Sequence, residues 1–573
     1  MKFKPYHKSL EDLHVGAQSP RAYFIPYDNL EDALSGDRNK SYYLTNLCGD
    51  DWSFKFFDSF EDLDENYLTA DFDKKDLPLV KVPGNIQLYE GVEHDSPLYS
   101  NLKYPFPTDP PFVPDENPCS VFIKEFDVSA EMMERDNIIT FEGVASCFYL
   151  LINGEFVGYS QVNHCTSEFD ISKYLVEGKN RITVVVVKWC DGSYLEDQDY
   201  FRLSGIFREV YILSRSKNRL KDVYIRQSFN EDYSLATLTV ECDLVGKAPI
   251  LYGLASPKGD VIVTSESADT TFTIEIQNPL MWNDETPYVY TLFLTVEDEI
   301  VPFQIGLCEV KIENKVFLVN GKGVKLRGIN RHDSTVNGYV VTTEQMVEDL
   351  LLLKRANVNC IRTSHYPNDP RFLDLCEALG FYIINEADIE THGVACEPHD
   401  NFDLISHNPE WAPRYLDRVK RMYLRDRSRA GIIMWSLGNE AGGYACQDVC
   451  YEYLHDVCPE IPVHYEGVVR TERHSYDVVS EMYTNHKDVE KTGKHIRGKK
   501  YTPKPFFLCE YAHAMGNSLG GLKEYWDLVR KYPVYQGGFI WDFVDQALKW
   551  QVDPQKYGTD RGFVFGGDFN DYD

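Results

Sequence analysis

The second half of the sequence alternates short apolar runs with helical segments, and this alternation restricts the fold more than any other feature. Apolar stretches such as 432–435 and 506–509 contain no alternating polar residue. Such a run is typical of a strand buried on both faces, as in a parallel sheet flanked by helices. Eight strand-like runs follow residue 311: KLRGIN, CIRTSHY, FYIINEADIE, IIMWSLGNE, VHYEG, VVSEMY, FFLCEY and GFIWDF. Eight strands close a (β/α)8 TIM barrel, which we therefore predict over residues 313–573.

Helical signals lie between these runs. The first helix is predicted over residues 343–356, where Thr342 and Gln345 have the spacing of a capping box. Its apolar stripe has helical periodicity and comprises Met346, Leu350 and Leu353. A second helix is predicted over residues 370–379.

The eighth run is followed by too little sequence for an obvious eighth helix. The chain stops at Asp573, so we expect the last barrel helix to be absent. An uncovered barrel strand would expose apolar surface to water. We therefore expect further residues or a second, complementing polypeptide to cover it.

The first half of the sequence has the pattern of all-β domains. Residues 1–41 have no sustained period and are predicted to form an arm, and residues 42–215 show short strands between turn residues. Asn153 and Gly154 form a predicted hairpin turn within this sandwich. Residues 216–312 repeat the all-β pattern at the length of an immunoglobulin-like domain.

Charge and cysteine usage exclude several classes of partner and compartment. The chain has 90 Asp and Glu against 58 Lys and Arg, a formal net charge of -32. Such a surface repels nucleic acids and anionic lipids, so we predict neither partner and favour a neutral substrate. Fourteen cysteines form no CxxC pair, and we predict buried thiols, with Cys446 and Cys450 sharing a helix face. The start, MKFKPYHKSL, has no apolar signal core, which favours a cytoplasmic location.

Two glutamates follow the fourth and seventh strand-like runs. Glu440 lies in WSLGNE and Glu510 in FFLCEY. The carboxyl ends of barrel strands meet at one face, where barrel enzymes do their chemistry. Retaining cleavage of a glycosidic bond needs two carboxyl groups roughly 5 Å apart, one as nucleophile and one as acid. The sequence therefore predicts a catalytic pair, although structural ion pairs also occupy such positions.

Other polar residues end further strands of the predicted barrel. The candidates are His332, Arg362, His365, Glu390, His392, Tyr483, His513 and Trp541. A single histidine is more often a packing residue, but several at one rim suit the hydroxyls and the apolar face of a sugar. Arg362 is expected beside Glu510, where it would favour the ionised carboxylate. Glu390 and His392 could join a third carboxylate around Mg²⁺, which spacing alone supports weakly.

Several long motifs resemble glycoside hydrolase family two, and within it the large bacterial β-galactosidases of the lactose-operon type. They include WSLGNE, CEYAHAMGNSLGG and NCIRTSHYPNDPRFLDLCEALGFYIINEADIETHG. In the first domain, VPGNIQLYE and WCDGSYLEDQDYFRLSGIFREV resemble the sugar-binding-like jelly roll of that subgroup, and NPLMWNDETPYVY resembles its immunoglobulin-like domain. The resemblance implies a multidomain chain of jelly roll, immunoglobulin-like sandwich and catalytic TIM barrel.

The resemblance also implies a role for each candidate residue. Glu440 would be the acid/base and Glu510 the nucleophile of a retaining exo-β-galactosidase that hydrolyses lactose-like substrates. Asn439 would bond the 2-hydroxyl. The remaining contacts to galactose would come from Asn101, Asp199, His332, His365, Tyr483, His513 and Trp541.

Metal ligands follow from the same resemblance. Glu390, His392 and Glu440 match the Mg²⁺ ligands of the family, and Asp199 matches a Na⁺ ligand. Further Na⁺ ligands in relatives follow the eighth strand, so the Na⁺ site is expected to be incomplete here.

Two alternatives stay open at this point. One is β-glucuronidase or β-mannosidase activity within the same family. The other is a non-catalytic chain, either a carbohydrate-binding module or an incomplete half that needs a complementing subunit. A homo-oligomer, or assembly with a complementing C-terminal polypeptide, is also expected.

Overall fold

The computed structural model describes residues 3–396, 398–471, 473, 476–498, 501 and 504–569. Two β-sandwiches are followed along the chain by a parallel eight-stranded barrel. This is the architecture that the sequence predicts. All fourteen cysteines are free thiols, and Cys446 and Cys450 are both buried on one helix. Within the described ranges, no helix has the length and apolar character needed to cross a membrane.

The first sandwich is a jelly roll of two antiparallel sheets that face one apolar core. The larger sheet contains, in spatial order, Leu79–Val82, Gly49–Phe57, Cys119–Val128, Gly178–Val187, Cys147–Ile152 and Glu155–Gln161. The smaller contains Leu44–Asn46, Val210–Arg215, Asp136–Phe141 and Ser167–Asp170. The predicted hairpin is confirmed: Asn153 and Gly154 have φ of 50° and 75°, as a two-residue primed turn requires.

The second sandwich packs a three-stranded sheet against a four-stranded sheet around its own core. The strands of the first sheet are Arg219–Phe229, Leu235–Val245 and Thr271–Gln277. Those of the second are Val261–Ser267, Ile250–Ala255, Val289–Val296 and Glu299–Gly306. A small antiparallel sheet follows, of Val310–Glu313, Val316–Val319 and Lys322–Gly323. Phe317 and Val319 of this sheet pack with residues of the barrel interior.

All eight predicted barrel strands are present. They are β1 (Leu326–Asn330), β2 (Cys360–Arg362), β3 (Tyr382–Glu386), β4 (Ile432–Ser436), β5 (Val463–His464), β6 (Val479–Met482), β7 (Phe506–Tyr511) and β8 (Tyr535–Ile540). Parallel backbone pairing joins β8 to β1 and runs around the barrel. Between β5 and β6 the described residues form no backbone ladder, so one seam of the barrel stays open.

Among the described residues, six α-helices cover the outside of the barrel. They are α1 (Thr343–Arg355), α2 (Pro370–Leu379), α3 (Ala412–Asp426), α4 (Ala445–Val457), α5 (His486–Gly493) and α6 (Leu522–Lys531). The predicted capping box of α1 is confirmed, because Thr342 and Gln345 bond each other's backbone N–H groups. After β8 the described chain contains a hairpin of Leu548–Gln551 with Arg561–Val564 and a four-residue helix, Pro554–Tyr557. No longer helix follows β8 in this part.

The N-terminal arm contacts all three domains. Val15 forms a β-bridge with Tyr159 of the jelly roll, and Tyr27 forms one with Ile300 of the second sandwich. On the barrel, the Arg414 side chain of α3 donates to the carbonyl of Leu10 at 2.6 Å. The arm therefore fixes the two sandwiches against the barrel.

A buried carboxyl group joins the second sandwich to the barrel. Glu377 of α2 is 2% exposed, and its Oε1 accepts from the backbone N–H of Gly306 at 3.0 Å and of Ala430 at 3.3 Å. Burial raises the pKa of Glu377 to about 7. Glutamine at this position keeps an oxygen for both N–H groups and removes the titration.

Stability of the Glu377→Gln variant should therefore depend on pH differently from that of the parent. Because the folded pKa lies above the unfolded value, the parent loses stability as pH rises from about 4.5 to about 7, by up to about 3 kcal/mol. The variant does not. We expect its melting temperature, relative to the parent, to be higher at pH 8 than at pH 5. An equal difference at both pH values would contradict this role of Glu377.

Candidate active site

The predicted site residues collect at the carboxyl ends of the barrel strands. His332 follows β1, Arg362 ends β2, and His365 lies three residues further; Glu390 and His392 follow β3; Asn439 and Glu440 follow β4; Tyr483 follows β6; Glu510 lies in β7 with His513 after it; and Trp541 follows β8. Because the strands are parallel, these ends share one face of the barrel. Seven of the eight strands contribute.

Arg362 connects the two candidate catalytic segments. Its Nη1 donates to Glu510 Oε1 at 3.1 Å, and its Nη2 donates to Asn439 Oδ1 at 3.0 Å, one residue before Glu440. The guanidinium is fully buried. Glu440 and Glu510 also interact electrostatically, since the charge of Glu440 raises the pKa of Glu510. The barrel fold thus brings together two residues that are seventy positions apart in the sequence.

Glu510 has donors on both carboxylate oxygens. Tyr483 donates to Oε2 at 3.0 Å, while Oε1 faces Arg362 and lies 3.8 Å from His365 Nε2. Burial raises the pKa of Glu510 to about 8, with Glu440 acting in the same direction and Arg362 against it. Two carboxyl groups that interact in a buried site do not both ionise readily, so the pair retains one proton near neutral pH.

Glu440 lies on the opposite side of this site, in contact with His392. His392 Nδ1 is 2.8 Å from Glu440 Oε2, and the backbone N–H of Glu440 donates to Glu466 Oε1 at 3.1 Å. Burial acts to raise the pKa of Glu440, but the contact with His392, together with the charges of Arg470 and His365, outweighs it and lowers the pKa. Burial thus favours the protonated form of Glu510, whereas the contact with His392 favours the ionised form of Glu440.

The backbone is strained where these side chains project. Glu440, Tyr483 and Ala512 have positive φ of 23°, 52° and 57°, in a region that residues other than glycine avoid. Strain of this kind concentrates at functional sites, where surrounding structure holds it. Here the strain fixes the direction in which the side chain of Glu440 projects. It also fixes the course of the backbone at Tyr483 and at Ala512, in the two segments beside Glu510.

Aromatic rings form another wall of the site. His365 stacks on Trp541 with ring centroids 4.9 Å apart and planes at 9°, and His332 meets Trp541 edge-on at 5.5 Å. His332 Nδ1 lies 3.1 Å from Tyr366 Oη, whereas its buried Nε2 has no hydrogen-bond partner among the described residues. This nitrogen is available to a ligand.

The jelly roll contributes the segment that reaches the barrel rim. Glu196 forms a parallel bridge with Glu390, and three residues later Asp199 contacts Tyr99 Oη. Burial raises the pKa of Asp199, and the charges of Glu440 and His513 also act on it, which places its carboxyl group near the same site. Asn101 directly follows the two-residue strand Tyr99–Ser100, which pairs with Tyr200–Phe201 beside Asp199.

One group of side chains in the described part of the chain could hold a metal ion. Ligand atoms of Glu390, His392 and Glu440 all lie within 4.8 Å of one another. Glu390 is fully buried, its Oε1 has no hydrogen-bond partner among the described residues, and burial raises its pKa together with the charge of Glu440. An orphaned carboxylate oxygen next to a second carboxylate fits a hard divalent cation.

Sequence reasoning missed several buried residues that support the site. Glu386 of β3 receives two hydrogen bonds from Arg362, Asn330 of β1 accepts a third, and Glu466 holds the backbone of Glu440. The available signal was a charged residue inside an apolar strand, as Glu386 is in YIINE. A buried charged side chain needs a partner, so the position of Glu386 in an apolar strand is enough to indicate that a partner is present.

Models of glycosyl hydrolases family 2 match almost the whole chain. The sugar binding domain matches residues 44–216, the central family 2 domain residues 218–306, and the TIM barrel domain residues 310–573. The chain belongs to glycosyl hydrolases family 2.

Several curated relatives of this family 2 chain are named beta-galactosidases. The protein of Actinobacillus pleuropneumoniae is 39% identical over 600 residues, which cover 99% of this chain and 57% of the relative. That of Staphylococcus xylosus is 36% identical, covering 99% of this chain and 56% of the relative. The chain thus spans about 57% of the length of these relatives.

Solved structures agree with the fold of the family 2 chain. A beta-glucuronidase of Ruminococcus gnavus superposes with a TM-score of 0.73 at 19% identity, covering 88% of this chain and 92% of the other. At this identity the likeness shows the three-domain fold alone.

Proposed function

We propose that this chain carries the active site of a retaining exo-β-galactosidase. The observation that carries the proposal is the bridge by Arg362, which holds Glu510 and the segment of Glu440 at one buried site. The galactoside specificity is supported by relatives at 36–39% identity that are named beta-galactosidases.

In the first step, Glu510 attacks the anomeric carbon. The bond between that carbon and the leaving oxygen breaks, and Glu440 gives its proton to this oxygen. The donors Arg362 and Tyr483 stabilise the ionised form of Glu510 that this step uses. The proton that this step delivers to the leaving oxygen must then reside on Glu440.

In the second step, Glu440 takes a proton from water and the water oxygen attacks the galactosyl carbon, releasing Glu510. Asn439, held by Arg362 and donating to Glu390 at 3.1 Å, is proposed to bond the 2-hydroxyl. The several carboxyl groups around the site suit the positive charge that develops on the sugar ring in both steps.

The remaining site residues are proposed to bind galactose and to close the site for a terminal sugar. The indole of Trp541 offers an apolar face, His332 Nε2 a hydrogen-bonding atom, and His365 supports the indole by stacking. Asp199 and Asn101 on the jelly roll, with His513 and Tyr483 near Glu510, are proposed contacts to sugar hydroxyls.

We propose Glu390, His392 and Glu440 as ligands of Mg²⁺, which would supply positive charge near the acid/base when bound.

Glu390→Gln should weaken Mg²⁺ binding at least about tenfold, because the loss of one charged ligand costs more than about 1.4 kcal/mol. Calorimetric titration of the protein with MgCl₂ measures this without substrate, and a chelator should lower galactosidase activity in parallel. Equal Mg²⁺ affinity in the variant would remove Glu390 from the site. Asp199 remains a proposed Na⁺ ligand, with further ligands needed.

Comparison of three chromogenic substrates tests the proposed specificity. We expect nitrophenyl β-galactoside to be hydrolysed much faster than the corresponding glucuronide and mannoside. Faster hydrolysis of the glucuronide or the mannoside would overturn the galactosidase proposal in favour of another family 2 specificity.

Hydrolysis by this chain without any other polypeptide would contradict the expectation of a complementing subunit.

A further inference from the structure

A row of fully buried polar side chains runs beneath the site across five neighbouring strands. From β2 to β6 each strand contributes one member: Arg362, Glu386, Ser436, His464 and Ser480. Successive members are hydrogen-bonded. Ser436 Oγ lies 2.6 Å from Glu386 Oε2 and 2.9 Å from His464 Nδ1, and His464 Nε2 lies 2.6 Å from Ser480 Oγ.

The direction of these hydrogen bonds is fixed by chemistry. Glu386 is ionised, because Arg362 and His365 lower its pKa to about 2 although burial acts to raise it. The Ser436 hydroxyl must therefore donate to Glu386 and accept from His464. Burial, and then the charge of Arg362, lower the pKa of His464 to about 3, so its ring is neutral. A neutral ring that donates from Nδ1 accepts at Nε2, and Ser480 must donate there.

The contact between His464 and Ser480 also crosses the open seam of the barrel. These residues lie on β5 and β6, between which no backbone ladder forms in the described part. Nearer the start of β6, the backbone N–H of Asp477 donates to the carbonyl of Val463 at 2.8 Å, and the contact between His464 and Ser480 adds a side-chain connection across the same seam. Losing it would free both the ring of His464 and the hydroxyl of Ser436.

The other end of the row holds Glu510. The carboxylate of Glu386 accepts two hydrogen bonds from Arg362, from Nε at 2.7 Å and from Nη2 at 2.9 Å. This bidentate pair fixes the plane of the guanidinium. Nη1 then donates to Asn330 at 3.0 Å and to Glu510 at 3.1 Å. With the bond from Nη2 to Asn439, all five N–H groups are used. A rotation of Glu386 would therefore misdirect the donor that holds Glu510.

We propose that His464 is a positioning residue for Glu510 and acts through Ser436, Glu386 and Arg362. It touches no substrate atom in this role. The inference rests on the proposed function, because it assigns the row to the galactosylation step. His464 also packs against Phe507, with ring centroids 5.1 Å apart, so the test must separate positioning from packing.

Two substitutions of His464 separate these roles. Phenylalanine keeps an aromatic ring against Phe507 but can neither donate nor accept a hydrogen bond. Glutamine has an amide that donates to Ser436 and an oxygen that accepts from Ser480, as the neutral ring does. His7→Phe is the matched control: His7 is also fully buried, with its pKa lowered to about 3 by burial, and it contacts Tyr149 in the jelly roll, outside the site.

For folded protein, we expect His464→Phe to lower kcat and the rate of labelling by a 2-deoxy-2-fluoro-galactoside by about 10- to 100-fold. The inhibition constant of a thiogalactoside should change much less than the labelling rate, because the proposed bond of Asn439 to the 2-hydroxyl, which Arg362 supports, strengthens in the transition state. His464→Gln should recover most of the labelling rate, and His7→Phe should label as the parent does.

The outcomes distinguish this inference from the proposed function. Absence of label on Glu510 in the parent protein would overturn the proposed function and this inference with it. A parent labelled on Glu510, with His464→Phe labelled equally fast or His464→Gln as slow as His464→Phe, would overturn the inference alone. Nitrogen NMR of ¹⁵N-histidine protein gives a readout without substrate. The signals of the His464 ring are those missing from His464→Gln. We expect this ring to stay neutral, with its proton on Nδ1, from pH 8 to pH 5. Protonation of the His464 ring within this range would also overturn the inference.

Discussion

Replacing Glu510 by glutamine should lower kcat/KM for nitrophenyl β-galactoside by at least about 10⁴-fold. The amide is nearly isosteric, and its oxygen can accept from Arg362 or Tyr483, but it is too weak a nucleophile to attack the anomeric carbon. Steady-state hydrolysis measures the loss. Labelling by a 2-deoxy-2-fluoro-galactoside, read by mass spectrometry of peptides, should mark Glu510 in the parent and nothing in the variant.

Glu377→Gln is the matched control for this prediction. It makes the same exchange at a buried glutamate of α2, which bonds the backbone of Gly306 in the second sandwich and of Ala430 before the start of β4, not the carboxyl ends of the strands. Its kcat should match that of the parent. A Glu510→Gln protein that is folded and hydrolyses galactoside within about tenfold of the parent would refute the nucleophile assignment.

Replacing Glu440 by alanine should produce a loss that depends on the leaving group. On lactose, whose leaving hydroxyl needs a proton, we expect the rate to fall by about 10²- to 10⁴-fold. On dinitrophenyl galactoside, whose leaving group departs unprotonated, the first step should change much less. Comparison of the two substrates under single-turnover conditions measures the difference.

Azide separates the roles of the two glutamates. In Glu440→Ala it should attack the galactosyl carbon, displace the Glu510 carboxylate and yield β-galactosyl azide, restoring turnover. Were the roles exchanged, azide would occupy the place of the missing nucleophile and yield the α-azide. The anomeric configuration of the product, determined by NMR, therefore decides between the two assignments.

Much of the fold was predictable from local pattern. The eight strands of the barrel, the capping box of α1 and the Asn153–Gly154 hairpin each depend on residues close together in sequence, and the structure confirms them. The membership of the rim was also predictable, because the carboxyl ends of parallel strands share one face. The roles given to Glu440, Glu510 and the sugar-binding residues stay predictions.

The supporting residues were not predictable in the same way. Glu386 and His464 lie inside buried strands, where no spacing marks them as a pair and the open seam between β5 and β6 has no sequence signal. Their partners depend on the stagger of neighbouring strands, which sets the side chains that share one level of the barrel.

Periodicity, capping and turn residues act over a few positions, so the order of the amino acids was enough to give the strands, the helices and the face on which Glu440 and Glu510 emerge. The bridge by Arg362, the orphaned oxygen of Glu390 and the approach of Asp199 from the jelly roll required the assembled domains. The reason is physical: hydrogen bonds and charge interactions depend on distances of a few ångströms between groups that can be hundreds of residues apart.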